Sequence, residues 1–175
     1  MPTQATHSSS RILLPVRMSF VVLSLLLALV LHFVPVGRFY AVPDFVALVL
    51  AFWCVREPLR VGMGTGFLLG MVVDVAHGSV MGQHAMAYVL LAYAAGESSR
   101  RLLWFGPSAQ ALHMTPLFLM TQVVMLLIRL MAGGRFPGWE YFFSTFTTAA
   151  LWLPMHYLLL IPQMRPIDRD ENRPL

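Results

Sequence analysis

Met18–Val36 reads MSFVVLSLLLALVLHFVPV, nineteen residues without a charge, preceded by Arg17 and closed by Pro35-Val36-Gly37-Arg38. A helix needs about 20 consecutive apolar residues to cross the hydrocarbon core of a bilayer, so this run predicts a membrane span. It could also serve as the apolar part of a signal peptide, but no small-x-small cleavage site follows it and further apolar runs come after. An uncleaved first span is the expectation.

The same reading carries outward along the chain. Apolar runs follow at Pro43–Val55, Val61–Ala76, Gly82–Gly96, Ala109–Met131 and Tyr141–Ile161. The second is short, since 13 helical residues rise only about 20 Å, and it leaves open whether that span crosses fully. Pro43 suits the first turn of a helix, where its missing N–H costs nothing. The breaks are explicit: Arg56-Glu57-Pro58-Leu59-Arg60, His77-Gly78-Ser79, Glu97 to Arg101, and Gly133 to Gly138. The expected organisation is a polar cytoplasmic segment 1–17, an all-α six-span transmembrane domain 18–162, and a charged cytoplasmic tail 163–175.

Composition agrees. Of 175 residues, 58% are hydrophobic and 11% charged, against roughly 25% charged in an ordinary soluble domain. The net charge of +4 comes from arginine alone, because the chain has no lysine. With the N-terminus inside, Arg11, Arg17, Arg56, Arg60, Arg100, Arg101, Arg165, Arg169 and Arg173 fall in cytoplasmic segments, and Arg38, Arg129 and Arg135 fall outside. That bias orients an even number of spans with both termini in the cytoplasm. No basic stripe is interleaved with aromatics, so nucleic acid is not an expected partner. Cys54 is the only cysteine, which excludes an intrachain disulfide and a multi-cysteine metal site.

Within the third run Gly62, Gly66, Gly70, Asp74 and Gly78 recur every four residues, which places them on one slowly drifting helix face. Glycines so spaced let a second helix approach closely. That helix could belong to the same bundle or to a partner protein. Asp74 is a carboxylate near the outer end of its span, with Arg129, Gln83 and His84 as candidate neighbours. Asp44, just after Pro43, suits a helix cap. Asp44, Asp74 and Arg129 are together expected to form an outer polar cluster.

His32, His84, His113 and His156 are scattered about one to a span, and none stands at a metal-ligand spacing with a carboxylate between. No metal or cofactor is expected. Ser79, His84 and Asp74 are triad-type residues, yet no nucleophile motif surrounds the serine. Trp53, Trp104, Trp139, Tyr40 and Tyr141 lie near span ends, where an aromatic belt forms.

The ordered set Pro43-Asp44-Phe-Val-Ala-Leu-Val-Leu-Ala-Phe-Trp53, then Pro58, then Gly66-Phe-Leu-Leu-Gly70-Met-Val-Val-Asp74, then Gly82 and Tyr88, resembles MreD, the rod shape-determining membrane protein family of bacteria. The match covers residues 43–93. The resemblance implies an inner-membrane component of the elongation machinery that binds MreC and works with MreB, RodA and a penicillin-binding transpeptidase. It also implies no catalytic activity, and a fold like the substrate-binding membrane subunits of energy-coupling-factor vitamin transporters. The resemblance assigns no chemistry to Pro43, Asp44, Trp53, Gly66, Gly70 or Asp74. The expected function is therefore a non-catalytic membrane scaffold, with a small-molecule-binding transporter subunit as the rival.

Overall fold

A computed structural model describes residues 16–34 and 42–163. The polar N-terminal segment, the charged tail, Arg11, Arg38, Tyr40, Arg165, Arg169 and Arg173 lie outside the described residues. Helices α1 (Met18–His32), α2 (Phe45–Arg56), α3 (Met63–His77), α4 (Gln83–Leu102), α5 (Pro107–Met131) and α6 (Phe143–Leu160) follow in chain order, with a 3-10 turn, Trp139–Phe142, leading into α6.

Helix α2 is the axis of the molecule. Every residue from Val46 to Val55 is at most 2% exposed. Its sequence, FVALVLAFWCVR, has no polar face before Arg56, and a helix that is apolar all round belongs in an interior. Helices α1, α4 and α6 surround it, with α3 held against α4 and α5 between α4 and α6. Twelve residues rise about 18 Å, short of the roughly 30 Å hydrocarbon core. A helix enclosed by longer neighbours need not span that depth itself.

The outer faces are apolar. Leu23, Leu26, Leu27 and Val30 of α1 and Met63, Phe67, Leu68, Val72 and Val75 of α3 are all exposed. A contiguous apolar surface of this kind marks contact with lipid or with another protein. By length and apolarity taken alone, α5, with 25 residues, is the one described helix able to cross a membrane; α1, α2 and α3 are shorter apolar helices.

The helices alternate in direction, which gives the bundle two unlike ends. Arg17, Arg56, Arg60, Arg100 and Arg101 mark one end, where Arg60 donates to the Val16 carbonyl at 3.2 Å and Arg56 lies 3.5 Å from His156 Nε2. The other end gathers His32, Asp44, His77, His84, Tyr141 and Ser144 around a cavity.

Two expectations need correction. The fourth helix does not end at Gly96 but continues to Leu102, because arginines in a last turn favour the negative end of a helix dipole. Trp53 is not an interfacial anchor. It is fully buried, donates from Nε1 to Ser24 Oγ at 2.8 Å, and packs edge-on against Phe20 and Phe52. Trp104 and Trp139, 90% and 80% exposed, do sit on the surface near helix ends.

Candidate functional site

The two carboxylates singled out by sequence stand at the histidine end, and each closes the N-terminus of a helix. Asp44 caps its own: Oδ1 accepts from Ala47 N at 2.9 Å. The Tyr88 hydroxyl reaches over from α4 to donate to the same carboxylate, 3.0 Å from Oδ1 and 2.9 Å from Oδ2. The Asp44 amide donates to Thr148 Oγ1 of α6 at 2.9 Å. One residue thus ties α2, α4 and α6 together. Pro43 precedes it on the cavity wall; Pro58 lies in the turn after α2 at the opposite end.

Asp74 caps a different helix from its own. It is buried, and α4 begins at Gly82 without a side-chain cap of its own. The Asp74 carboxylate fills that role, accepting from the backbone N–H groups of Gly82 at 2.9 Å, His84 at 2.9 Å and Ala85 at 3.3 Å. Ser79 Oγ donates to it at 2.8 Å, and His84 Nδ1 stands 2.7 Å from Oδ1. A carboxylate at a helix N-terminus meets unpaired N–H donors and the positive end of the dipole. That set of bonds accounts for a charge in an otherwise apolar hairpin. Asp74, His84 and Ser79 do meet, but the serine hydroxyl contacts the carboxylate rather than the imidazole, so the order needed to activate a nucleophile is absent.

Arg129 does not join the cluster. It is exposed at the end of α5, its stem lies against Gly134, and it pairs with neither carboxylate among the described residues. The hydrogen-bonding needs of Asp74 are met by amides a few residues away in sequence, which leaves no call for a distant cation.

The glycine face is covered by the chain itself. A Cβ on Gly66 would come within 2.7 Å of the Tyr88 carbonyl oxygen, and one on Gly70 would overlap the Ala85 backbone. Both are buried, so the α3 and α4 backbones are in contact and no partner helix has room there. Gly62 is the N-cap of α3, where an added Cβ would reach only the Pro58 carbonyl at 3.9 Å. Gly78 closes α3 with φ of +59°, the left-handed conformation that glycine adopts without strain.

The cavity has a volume of about 240 Å³ and is walled by the carboxylate of Asp44, the rings of His32, His77 and His84, and Gln122, Tyr141 and Ser144. His77 is the member that sequence reasoning passed over, since it lies in what reads as a turn. Below it Gln122 of α5 and Thr145 of α6 bond at 2.8 Å, so the polar end is stitched through five helices, α2 to α6.

These features fall within a region that matches known proteins. The family described as rod shape-determining protein MreD matches residues 10–161. The chain belongs to the MreD family. Among curated MreD relatives, the rod shape-determining protein MreD of Haemophilus influenzae is 29% identical over 130 residues, covering 72% of this chain and 77% of that protein. No solved structure matches. Membership of the MreD family assigns the chain a part in determining rod shape. The helices and polar bonds above are the frame in which an MreD chain performs it.

Proposed function

We propose that the chain is a non-catalytic scaffold of the cell-elongation machinery, embedded in the inner membrane by six helices with both termini in the cytoplasm. It holds MreC, and through it works with MreB, RodA and a penicillin-binding transpeptidase. The observation that carries this reading is the use made of the two buried-end carboxylates. Asp44 and Asp74 spend their lone pairs on helix N-termini and on neighbouring hydroxyls, which serves rigidity rather than turnover. The arginine end suits the cytoplasmic side, in line with the bias of charged loops.

With Gly66 and Gly70 already covered, a partner is held on exposed apolar faces, of which those of α1 and α3 are two and those of α5 and α6 two more. Association in lipid rests on close van der Waals fit and interhelical hydrogen bonds. The rival role, a vitamin-binding transporter subunit with the corresponding fold, needs a larger chamber. Small-molecule pockets run roughly 300–1,000 Å³, and the cavity here is about 240 Å³. The test is purification from bacterial membranes in mild detergent, followed by identification of bound proteins. Recovery of MreC supports the scaffold. Recovery of the chain alone, with saturable uptake of a vitamin, supports the rival.

A further inference from the structure

Phe45, Val49, Phe52 and Arg56 stand at i, i+4, i+7 and i+11 of α2, a spacing that puts them on one face of the helix. Helices α1 and α6 flank α2 and leave a shallow groove there, walled by Leu27 and Leu31 of α1, Phe45 and Val49 of α2, and Met155 and Leu158 of α6. Leu27, Leu31 and Leu158 are exposed, so the groove opens on the apolar outer surface of the bundle. Ser24 is the one polar residue of its lining, and its hydroxyl is already engaged, donating to the Val21 carbonyl and accepting from Trp53 Nε1. Along its length the groove offers nothing to a polar ligand and suits a hydrocarbon chain.

The arginine end of the same α2 face is polar, and its charge is unbalanced. The Arg56 guanidinium lies over the Phe52 ring, 5.6 Å from its centre, and 3.5 Å from His156 Nε2. No carboxylate pairs with it among the described residues, whereas Arg60, four residues on, pairs with Glu57 at 3.6 Å. His156 and Gln163 are buried at this end, 5% and 7% exposed. His156 Nδ1 and Gln163 Nε2 each lack a hydrogen-bond partner among the described residues. A half-buried cation beside buried nitrogens without acceptors calls for an anion. Phosphate oxygens match the guanidinium fork.

We propose that this side of the bundle binds one anionic phospholipid, with an acyl chain in the groove between α1 and α6 and its phosphate on Arg56, beside His156 and Gln163. Basic pockets between helices on the cytoplasmic side of a membrane protein hold such headgroups by the same chemistry. The site rests on the membrane embedding proposed above and is independent of which protein the chain holds. A lipid seated there would fasten α1 to α6, both of which pack on α2.

The test uses the full chain, purified in detergent and stripped of lipid. It is mixed with phosphatidylglycerol, with phosphatidylcholine or with inorganic phosphate at equal concentration, and retained ligand is counted by native mass spectrometry. The site predicts one phosphatidylglycerol per chain, held about tenfold more tightly than phosphatidylcholine and about tenfold more weakly by Arg56→Gln, with phosphate alone not retained. Arg100→Gln, which alters an exposed residue of α4, binds as the unaltered chain does. A second measurement needs no variant: phosphatidylglycerol with a photoreactive group in its acyl chain labels residues 24–31 and 155–159, and unlabelled phosphatidylglycerol suppresses that labelling. Equal retention of the two lipids, undiminished binding in Arg56→Gln, retention of phosphate alone, or labelling that avoids both segments overturns the proposal. A stripped chain that stays in solution without detergent would overturn the embedding, and the site with it.

Discussion

Gly70 of α3 lies directly on the backbone of Ala85 in α4, with no space for even one methyl group between them. The four-residue glycine spacing thus produces a seam within the chain. Gly70→Ala forces the two helices apart, and overpacking a close contact costs about 1–3 kcal/mol. The expected result is a lowered thermal midpoint in detergent, larger for Gly70→Leu. Gly64, which has nothing within 4 Å of an added Cβ, takes alanine with little change.

Asp74 supplies the cap that α4 lacks. Asp74→Ala strips acceptors from three backbone N–H groups, the Ser79 hydroxyl and His84 together. Hydrogen bonds to a charged group contribute about 1.5–3 kcal/mol each when measured singly. Losing the set therefore costs more than any single cap. Hydrogen exchange reads it locally: amides 82–86 lose protection while those of α2 keep theirs.

Asp44 is predicted to be sensitive for a different reason. Asp44→Ala removes the α2 cap, which costs about 1 kcal/mol, and leaves the buried Tyr88 hydroxyl without its acceptor, which adds about 1–3 kcal/mol. Pairing it with Tyr88→Phe removes the orphaned group. The double variant should be more stable than the sum of the two single losses predicts, as unfolding measured across a double-mutant cycle would reveal.

Trp53→Phe tests the buried anchor. It removes the bond to Ser24 Oγ and leaves a void in the α1–α2 contact, with an expected loss of about 1–3 kcal/mol. An interfacial tryptophan would tolerate the change. Thermal unfolding compared with Trp104→Phe, at a 90% exposed position, distinguishes the two.

Much of the helix pattern was legible in the sequence, because apolar runs and their Pro, Gly and Arg punctuation act locally. The Asp44 cap followed from its place after Pro43. What covers the glycine face did not follow, since spacing tells which residues share a face and nothing of what lies opposite. Trp53 was misread for the same reason: a tryptophan near a helix end resembles an anchor until the helix is known to be central. His32, His77 and His84 come from three helix ends and meet only once α1, α3 and α4 are assembled. Arg129 was matched to Asp74 by depth alone, whereas the α4 amides were nearer and better directed.

The most direct measurement of the central claim is quantitative mass spectrometry of what accompanies the chain when it is extracted from rod-shaped cells in mild detergent. A scaffold predicts MreC in comparable amount, reduced when bulky polar residues replace Leu68 or Val72 on the exposed face of α3 and cells become round. Recovery of the chain free of MreC from cells that keep their rod shape would contradict the account.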